Sequence, residues 1–187
     1  EMKCFTMLLL LGSLLVSCGP PAPATEQEPP PPPVNEDDLL LRLSAYLNTD
    51  TSRAAREQNE IVDYAIENLV DVQVSNSGLF YSVRAEGDGE AIAWGDYLTV
   101  HYKGYLLDGT VFADSRAQDR PLEFYVGNMI PAWNEGLPYI KVGGRLLLLV
   151  PSHLGYGAEG LKTSKGSVIV PPYQILAFEV EVLEKGE

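Results

Sequence analysis

The 187-residue sequence is poor in the residue types on which most catalytic and metal sites depend. Its two histidines, His101 and His153, lack metal-ligand spacing, so neither a metal site nor a cofactor is predicted. Ser115 and Ser152 lack the glycine-flanked turn of a hydrolase nucleophile. Conventional nucleophilic or metal-assisted catalysis is therefore not expected.

Positive charge is also scarce. Lysine and arginine total 13 against 26 acidic residues, which gives a net charge of −13. Without a basic stripe to neutralise phosphates, no nucleic-acid partner is expected. A hydrophobic content of 45% with 17 glycines is instead typical of a compact, β-rich domain.

The sequence has one long hydrophobic run, from Phe5 to Val16. This run has the length of the hydrophobic core of a secretory signal, and it is shorter than the roughly 20 residues of a membrane span. The run leads into "LLVSC", ending at Cys18, which resembles a bacterial lipobox. That resemblance implies a signal peptide over residues 1–17, a lipidated Cys18 and anchoring to an envelope membrane that faces the periplasm. The outer membrane is favoured, because Gly19 is not the aspartate associated with inner-membrane retention in some bacteria. A plain signal peptide with a chance cysteine is the alternative.

Residues 18–35 form the lipidated cysteine and a proline-rich tether with five consecutive prolines. Polyproline II geometry would let this stalk hold a domain up to roughly 50 Å from the lipid. A proline-rich ligand motif for another protein is the alternative interpretation.

Residues 36–70 predict two short amphipathic helices. Asn35 suits an N-cap, followed by acidic residues in the first turn, and "NTDTS" separates the two helices. The predicted apolar stripes are Leu39, Leu40, Leu43, Tyr46 and Leu47, then Ile61, Val62, Ala65, Ile66 and Leu69. Two such helices cannot form a core alone, so they pack either on the following domain or on a second copy, as a homodimer.

From about Asp71 the hydrophobic period changes to two, as in strands. In "YLTVHYKGYL" one face carries Leu98, Val100 and Tyr102, and similar alternation occurs in "GLFYSV", "LEFYV", "RLLLLVP" and "ILAFEVEVL". Pro131 suits the first turn of one short helix, and Pro138 disfavours helix at the preceding residue. The predicted fold class is therefore α+β, a curved antiparallel half-barrel sheet around one short helix, preceded by the two N-terminal helices.

The stretch from Gly78 to Glu184 resembles the FKBP-type peptidyl-prolyl isomerases. The matching motifs are "VHYKGYLLDGTVF", "VGNMIPAWNEGL", "VGGRLLLLVP", "GYGAEG" and "VPPYQILAFEVEVL", in the family order. The resemblance implies a five- to six-stranded sheet, an isomerase domain over residues 71–187 and a proline pocket. The implied catalytic residues are Tyr102, Phe112, Asp114, Trp133, Tyr156 and Phe178, and the implied substrate-binding residues are Leu122, Met129, Ile130 and Val170.

Such a pocket needs no acid or base, because rotation about an X-Pro bond breaks no covalent bond. The barrier of about 18–20 kcal/mol comes from amide resonance, and an apolar pocket suits the twisted amide. By resemblance, the Ile130 amide and the Tyr156 hydroxyl hold the substrate carbonyl. The implied function is isomerisation of proline-containing unfolded polypeptides during the folding of exported proteins. The alternatives are a proline-segment-binding chaperone and a scaffold lipoprotein.

Two departures from the family pattern stand out. Ala113 occupies the usual aspartate position and the acid is Asp114, while Gln118 replaces a basic residue that often pairs with that aspartate. Asp114 either returns to the Phe112 side and orients Tyr102, with a nearby arginine as partner, or is a solvated loop residue. Leu122 replaces a family aromatic, and the loop after Tyr156 is about five residues longer than usual.

Overall fold

The computed structural model describes residues 35–186. The predicted signal peptide, the lipidation site at Cys18 and all of the tether before Asn35 lie outside these residues. The described helices are α1 (Glu36–Ser44), α2 (Arg53–Glu67) and α3 (Pro131–Gly136). Among them, none combines the length and the hydrophobicity that crossing a bilayer requires.

The helix starts follow from their caps. The Asn35 side-chain oxygen accepts hydrogen bonds from the amides of Asp37 (3.1 Å) and Asp38 (3.4 Å), as the sequence predicts. The Ser52 hydroxyl accepts from the Ala55 amide at 3.3 Å and caps α2 in the same way. Each side chain satisfies amides that the first helical turn leaves without partners.

Antiparallel strands form the rest of the domain. They are β1 (Gln73–Val74), β2 (Phe80–Ala85), β3 (Tyr97–Leu106), β4 (Val111–Asp114), β5 (Leu122–Tyr125), β6 (Arg145–Val150), β7 (Leu161–Lys162), β8 (Val168–Val170) and β9 (Leu176–Lys185). The main sheet runs β1-β2-β6-β9-β3-β4, with β5 also paired to β3, while β7 and β8 form a separate hairpin. The predicted fold class is confirmed.

One sheet face packs around α3. Pro131 begins this helix, as the sequence predicts, and the α-helix ends at Gly136. Pro138 does not exclude helical geometry at the preceding residue, because Leu137 keeps right-handed helical angles (φ −59°, ψ −36°) and opens a 3-10 turn (Leu137–Tyr139) whose first turn accommodates the proline. Alternate residues of the long strands point into this core. They include Leu98 and Val100 of β3, Leu146, Leu148 and Val150 of β6, and Leu176, Phe178, Val180 and Val182 of β9.

The opposite sheet face is covered by α1 and α2. A second buried cluster joins Leu39, Leu43, Ile61, Val62 and Ala65 of the helices to Phe80, Leu147, Leu149 and Ala177 of the sheet. The helix stripes therefore pack on the domain itself. The predicted stripes were too wide, because Leu40 is half exposed and Tyr46, Leu47 and Leu69 lie beyond the helix ends on the surface.

Coverage of both sheet faces explains the sequence of β6. Its run of four leucines and a valine has no polar alternation, and all five side chains are buried. A strand with one solvated face would alternate. The uninterrupted run indicates that α1 and α2 are integral to the fold.

We expect Leu43→Ala to lower the free energy of unfolding by about 2–5 kcal/mol, because Leu43 is fully buried between helices and sheet. Leu41→Ala is the matched control, since Leu41 lies on the same helix and is 75% exposed. Its effect should stay within about 0.5 kcal/mol. Urea unfolding measures both, and equal effects would contradict the observed packing.

Candidate active site

The centre of the candidate site is the indole of Trp133, which α3 holds against the sheet. Trp133 is 1% exposed. The rings of Tyr102 (5.2 Å between centroids), Phe124 (5.5 Å) and Phe178 (5.5 Å) meet it edge-on. Phe112 in turn meets Phe178 at 5.6 Å. These distances are typical of favourable edge-to-face packing, so the rings form one connected cluster.

The structure brings nine of the ten predicted pocket residues into the hydrophobic core cluster to which these rings belong. Trp133, Phe178 and Val170 are buried in it, and the six that pack against it while half-buried are Tyr102, Phe112, Leu122, Met129, Ile130 and Tyr156. Partial exposure of those six leaves apolar surface open to a ligand. Asp114 is the one that stands apart.

Gly104 creates the space in which two of these rings meet. A Cβ atom at this position would lie 2.7 Å from the ring of Phe112 and 3.0 Å from that of Phe178. Both distances are at or below the limit for real Cβ contacts, and the nearest atoms belong to rigid rings. The glycine of "HYKG" therefore permits the Phe112–Phe178 contact.

Ser115 holds the backbone of Tyr102 and was missed by the sequence interpretation, which considered it only as a nucleophile. Its hydroxyl accepts from the Tyr102 amide at 2.8 Å and donates to the Tyr102 carbonyl at 3.1 Å. The His101 Nδ1 lies 3.0 Å from the hydroxyl oxygen of Ser115. Ser115 is 5% exposed, so this link between β3 and the end of β4 is shielded from water.

Asn134 shapes the loop that enters α3, and the sequence interpretation missed it too. Its side-chain oxygen accepts from the amides of Gly127 (2.8 Å) and Met129 (3.2 Å), and its Nδ2 donates to the Met129 carbonyl at 2.7 Å. These bonds hold the segment that carries Met129 and Ile130 against the helix.

The two pocket phenols remain protonated donors. Burial raises the pKa of Tyr102 above its ordinary value of 10.0. Burial, and secondarily the nearby Tyr102, raises the pKa of Tyr156 in the same direction. The buried Nε1–H of Trp133 has no hydrogen-bond partner within residues 35–186. The site thus offers uncharged hydrogen-bond donors above an apolar floor.

A concavity of about 560 Å³ opens beside Tyr102. It is lined by Tyr102, Ser115, Gln118, Arg120, Pro121, Leu122 and Glu123. Leu122 lies in its wall at the position where the resemblance implies an aromatic side chain. Within the described residues, no group of three or more His, Cys, Asp or Glu side chains is arranged to hold a metal ion.

Asp114 does not approach Tyr102 by hydrogen bonding. Its carboxylate accepts from the amides of Arg116 (3.0 Å) and Ala117 (3.0 Å), which closes the turn after β4. The sequence offers Arg116 and Arg120 as the nearby arginine partner, and Arg116 forms an ion pair with Glu181 instead. These local hydrogen bonds favour the second interpretation of Asp114, as a loop residue that does not orient Tyr102. Its catalytic role stays a prediction.

The longer loop after Tyr156 forms the β7–β8 hairpin. The amide of Thr163 donates to the Ser167 carbonyl and the amide of Gly166 donates to the Thr163 carbonyl, each at 2.8 Å. β8 then delivers Val170 to the core, where it is 1% exposed. Val170, at the end of this hairpin, belongs to the same core cluster as Trp133.

The sequence that forms most of this fold matches one protein family. The family model described as FKBP-type peptidyl-prolyl cis-trans isomerase matches residues 89–183, which is just over half of the chain. The chain belongs to this family.

Relatives with assigned names agree with that placement. The sequence is 42% identical over 127 residues to the FKBP-type 22 kDa peptidyl-prolyl cis-trans isomerase of Escherichia coli, covering 67% of this chain and 59% of the relative. It is 35% identical over 133 residues to a probable FKBP-type isomerase of Haemophilus influenzae, covering 71% and 53%. The crystal structure of FkpA from E. coli superposes with a TM-score of 0.60 at 33% identity, covering 78% of this chain and 63% of that one. The chain spans about half the length of the curated relatives it matches.

Asp114→Ala tests the turn. Loss of the acceptor for two amides should lower the free energy of unfolding by about 1 kcal/mol, while Asp114→Asn keeps an acceptor and most of the stability. Turnover of a prolyl peptide should change by less than about twofold in either variant. A several-fold loss of turnover in Asp114→Ala at unchanged stability would instead favour orientation of Tyr102 by the carboxylate.

Proposed function

We propose that this protein is a peptidyl-prolyl isomerase that accelerates the folding of exported proteins at the bacterial cell envelope. The observation that carries the proposal is the half-open aromatic cluster on Trp133, in a chain of the FKBP-type family. Its substrates are unfolded, proline-containing polypeptides.

The chemistry follows from the apolar character of the cluster. A planar X-Pro amide is stabilised by charge separation, which the twisted amide lacks. Transfer from water to an aromatic pocket therefore costs the planar form more than the twisted form, and this difference lowers the barrier. The Tyr156 hydroxyl and the Ile130 amide would orient the substrate carbonyl. A barrier lowered by roughly 7 kcal/mol corresponds to about 10⁵-fold acceleration.

A protease-coupled assay with a proline-containing peptide tests the proposal. The wild-type chain should accelerate cis-to-trans exchange, and Tyr156→Phe should lower kcat/KM by about tenfold through loss of one hydrogen bond. Tyr139→Phe is the matched control, because the Tyr139 hydroxyl donates to Glu135 and lies outside the site.

The alternative is a chaperone that binds proline segments with little turnover. Two departures from the family pattern favour this alternative. Ala113 lacks the carboxylate that the family usually has at its position, and Leu122 offers a substrate less surface than the usual aromatic side chain. Tight peptide binding without acceleration by the wild-type chain would support this alternative. Gain of turnover in Ala113→Asp would then identify the missing carboxylate as the cause.

The lipid anchor is proposed from "LLVSC" alone. Cys18→Ser should prevent acylation and move the protein from the membrane fraction to the soluble fraction, because the described helices include no membrane span. Fractionation with mass spectrometry of the mature N-terminus measures both effects. A variant that stays in the membrane pellet would refute lipidation at Cys18, and separation of inner and outer membranes would test the proposed outer-membrane location.

A homodimer through the N-terminal helices also stays a proposal. Most of the stripe residues that suggested it are buried on the sheet, so a dimer would use the apolar side chains that stay exposed in this segment, which are Leu40, Leu41, Tyr46, Leu47 and Leu69. Sedimentation of the full chain decides the oligomeric state.

A further inference from the structure

The loop that carries Tyr156 is organised by one carbonyl. Tyr156 lies between a 3-10 turn (Ser152–Leu154) and β7. The Ser152 carbonyl accepts hydrogen bonds from the amides of Gly155 (3.1 Å) and Gly157 (2.9 Å), the residues on either side of Tyr156. The backbone position of Tyr156 therefore depends on where Ser152 is held.

Ser152 is held by α2, which lies outside the segment that the family model matches. The Glu57 carboxylate accepts from the Ser152 amide at 2.8 Å and from its hydroxyl at 2.7 Å. Both residues are buried, at 6% and 4% exposure. Hydrogen bonds to a carboxylate shielded from water are among the stronger ones, so this contact fixes the turn to the helix.

The same helix contacts the other side of the loop. The Arg53 guanidinium lies 3.2 Å from the ring centroid of Tyr173, whose amide donates to the Gly157 carbonyl at 2.8 Å. Arg53 and Glu57 are four residues apart and share one helix face. Tyr173 has a φ of 58°, a conformation that a bulky residue keeps only where its surroundings enforce it.

A buried carboxylate is a poor way to gain stability alone, because its desolvation opposes the bonds it forms. No ion pair among the described residues includes Glu57. An apolar side chain could fill the same space within the surrounding helix–sheet core. What the carboxylate adds is direction, since it fixes both the amide and the hydroxyl of Ser152.

We propose that Glu57 is a positioning residue, which acts through Ser152 to set the Tyr156 side chain against the core cluster that contains Trp133. This inference rests on the proposed isomerase function, because Tyr156 acts on a substrate only if the pocket binds one. The N-terminal helices would then influence catalysis, although no residue of α1 or α2 lines the concavity beside Tyr102.

Kinetics on the full chain test the coupling. Glu57→Gln has the same shape but one acceptor oxygen fewer, and kcat should fall about three- to tenfold with little change in KM. Glu60→Gln, on the same helix and exposed, should leave both constants unchanged. In a Tyr156→Phe background, Glu57→Gln should cause no further loss. Fully additive losses would show that Glu57 acts by another route and would overturn the proposal.

Amide hydrogen exchange tests the positioning without any turnover. In Glu57→Gln the amides of Gly155 and Gly157 should exchange faster, while those of the β6–β9 ladder stay unchanged. Ser152→Ala, which loses only the hydroxyl bond, replaces Glu57→Gln if that variant does not fold. Unchanged exchange at both glycines would overturn the proposal. A wild-type chain without turnover would refute the isomerase function, and the exchange result would still decide whether Glu57 positions the loop.

Discussion

The packing of Trp133 against the sheet is the contact on which both the core and the site depend. α3 has six residues, too few to be stable without tertiary contacts. It stays in place because its indole is surrounded edge-on by rings from β3, β5 and β9. Among those rings, Tyr102 also lines the concavity, so this side chain would serve both the stability of the fold and the proposed binding of a substrate. A change that loosens the cluster would affect both.

The sheet separates two tasks. One face packs around α3 and forms the pocket, and the other is covered by α1 and α2. β6 lies between them and is apolar on both sides. Because the second layer is closed by helices outside the family-matched segment, residues from that layer can influence the pocket through buried contacts. The Glu57–Ser152 pair and the Arg53–Tyr173 pair are such contacts from α2 to the loop that carries Tyr156.

The scarcity of catalytic groups in the sequence agrees with a reaction that moves no atoms between molecules. Under the proposed function, the aromatic floor, the two phenols that burial keeps protonated and the concavity beside Tyr102 would favour a twisted amide over a planar one. The charged side chains nearest the site are Arg120 and Glu123, which line the concavity, and Arg116, which forms an ion pair with Glu181. Water would weaken this preference, and the indole of Trp133 is shielded from it at 1% exposure.

The sequence alone predicted the three α-helices and the strands β2, β3, β5, β6 and β9, but not the short strands β1, β4, β7 and β8. Alternation predicted β3, the Asn35 cap predicted the start of α1, and the family motifs named the aromatic residues that meet at Trp133. Tertiary structure decided what covers the stripes of α1 and α2, because a pattern shows that a face is apolar and not which surface covers it. It also decided which groups Phe124, Ser115 and Glu57 contact, and that the Asp114 carboxylate closes the turn after β4. Those roles depend on contacts between residues far apart in the chain, whose direction and distance no local pattern encodes.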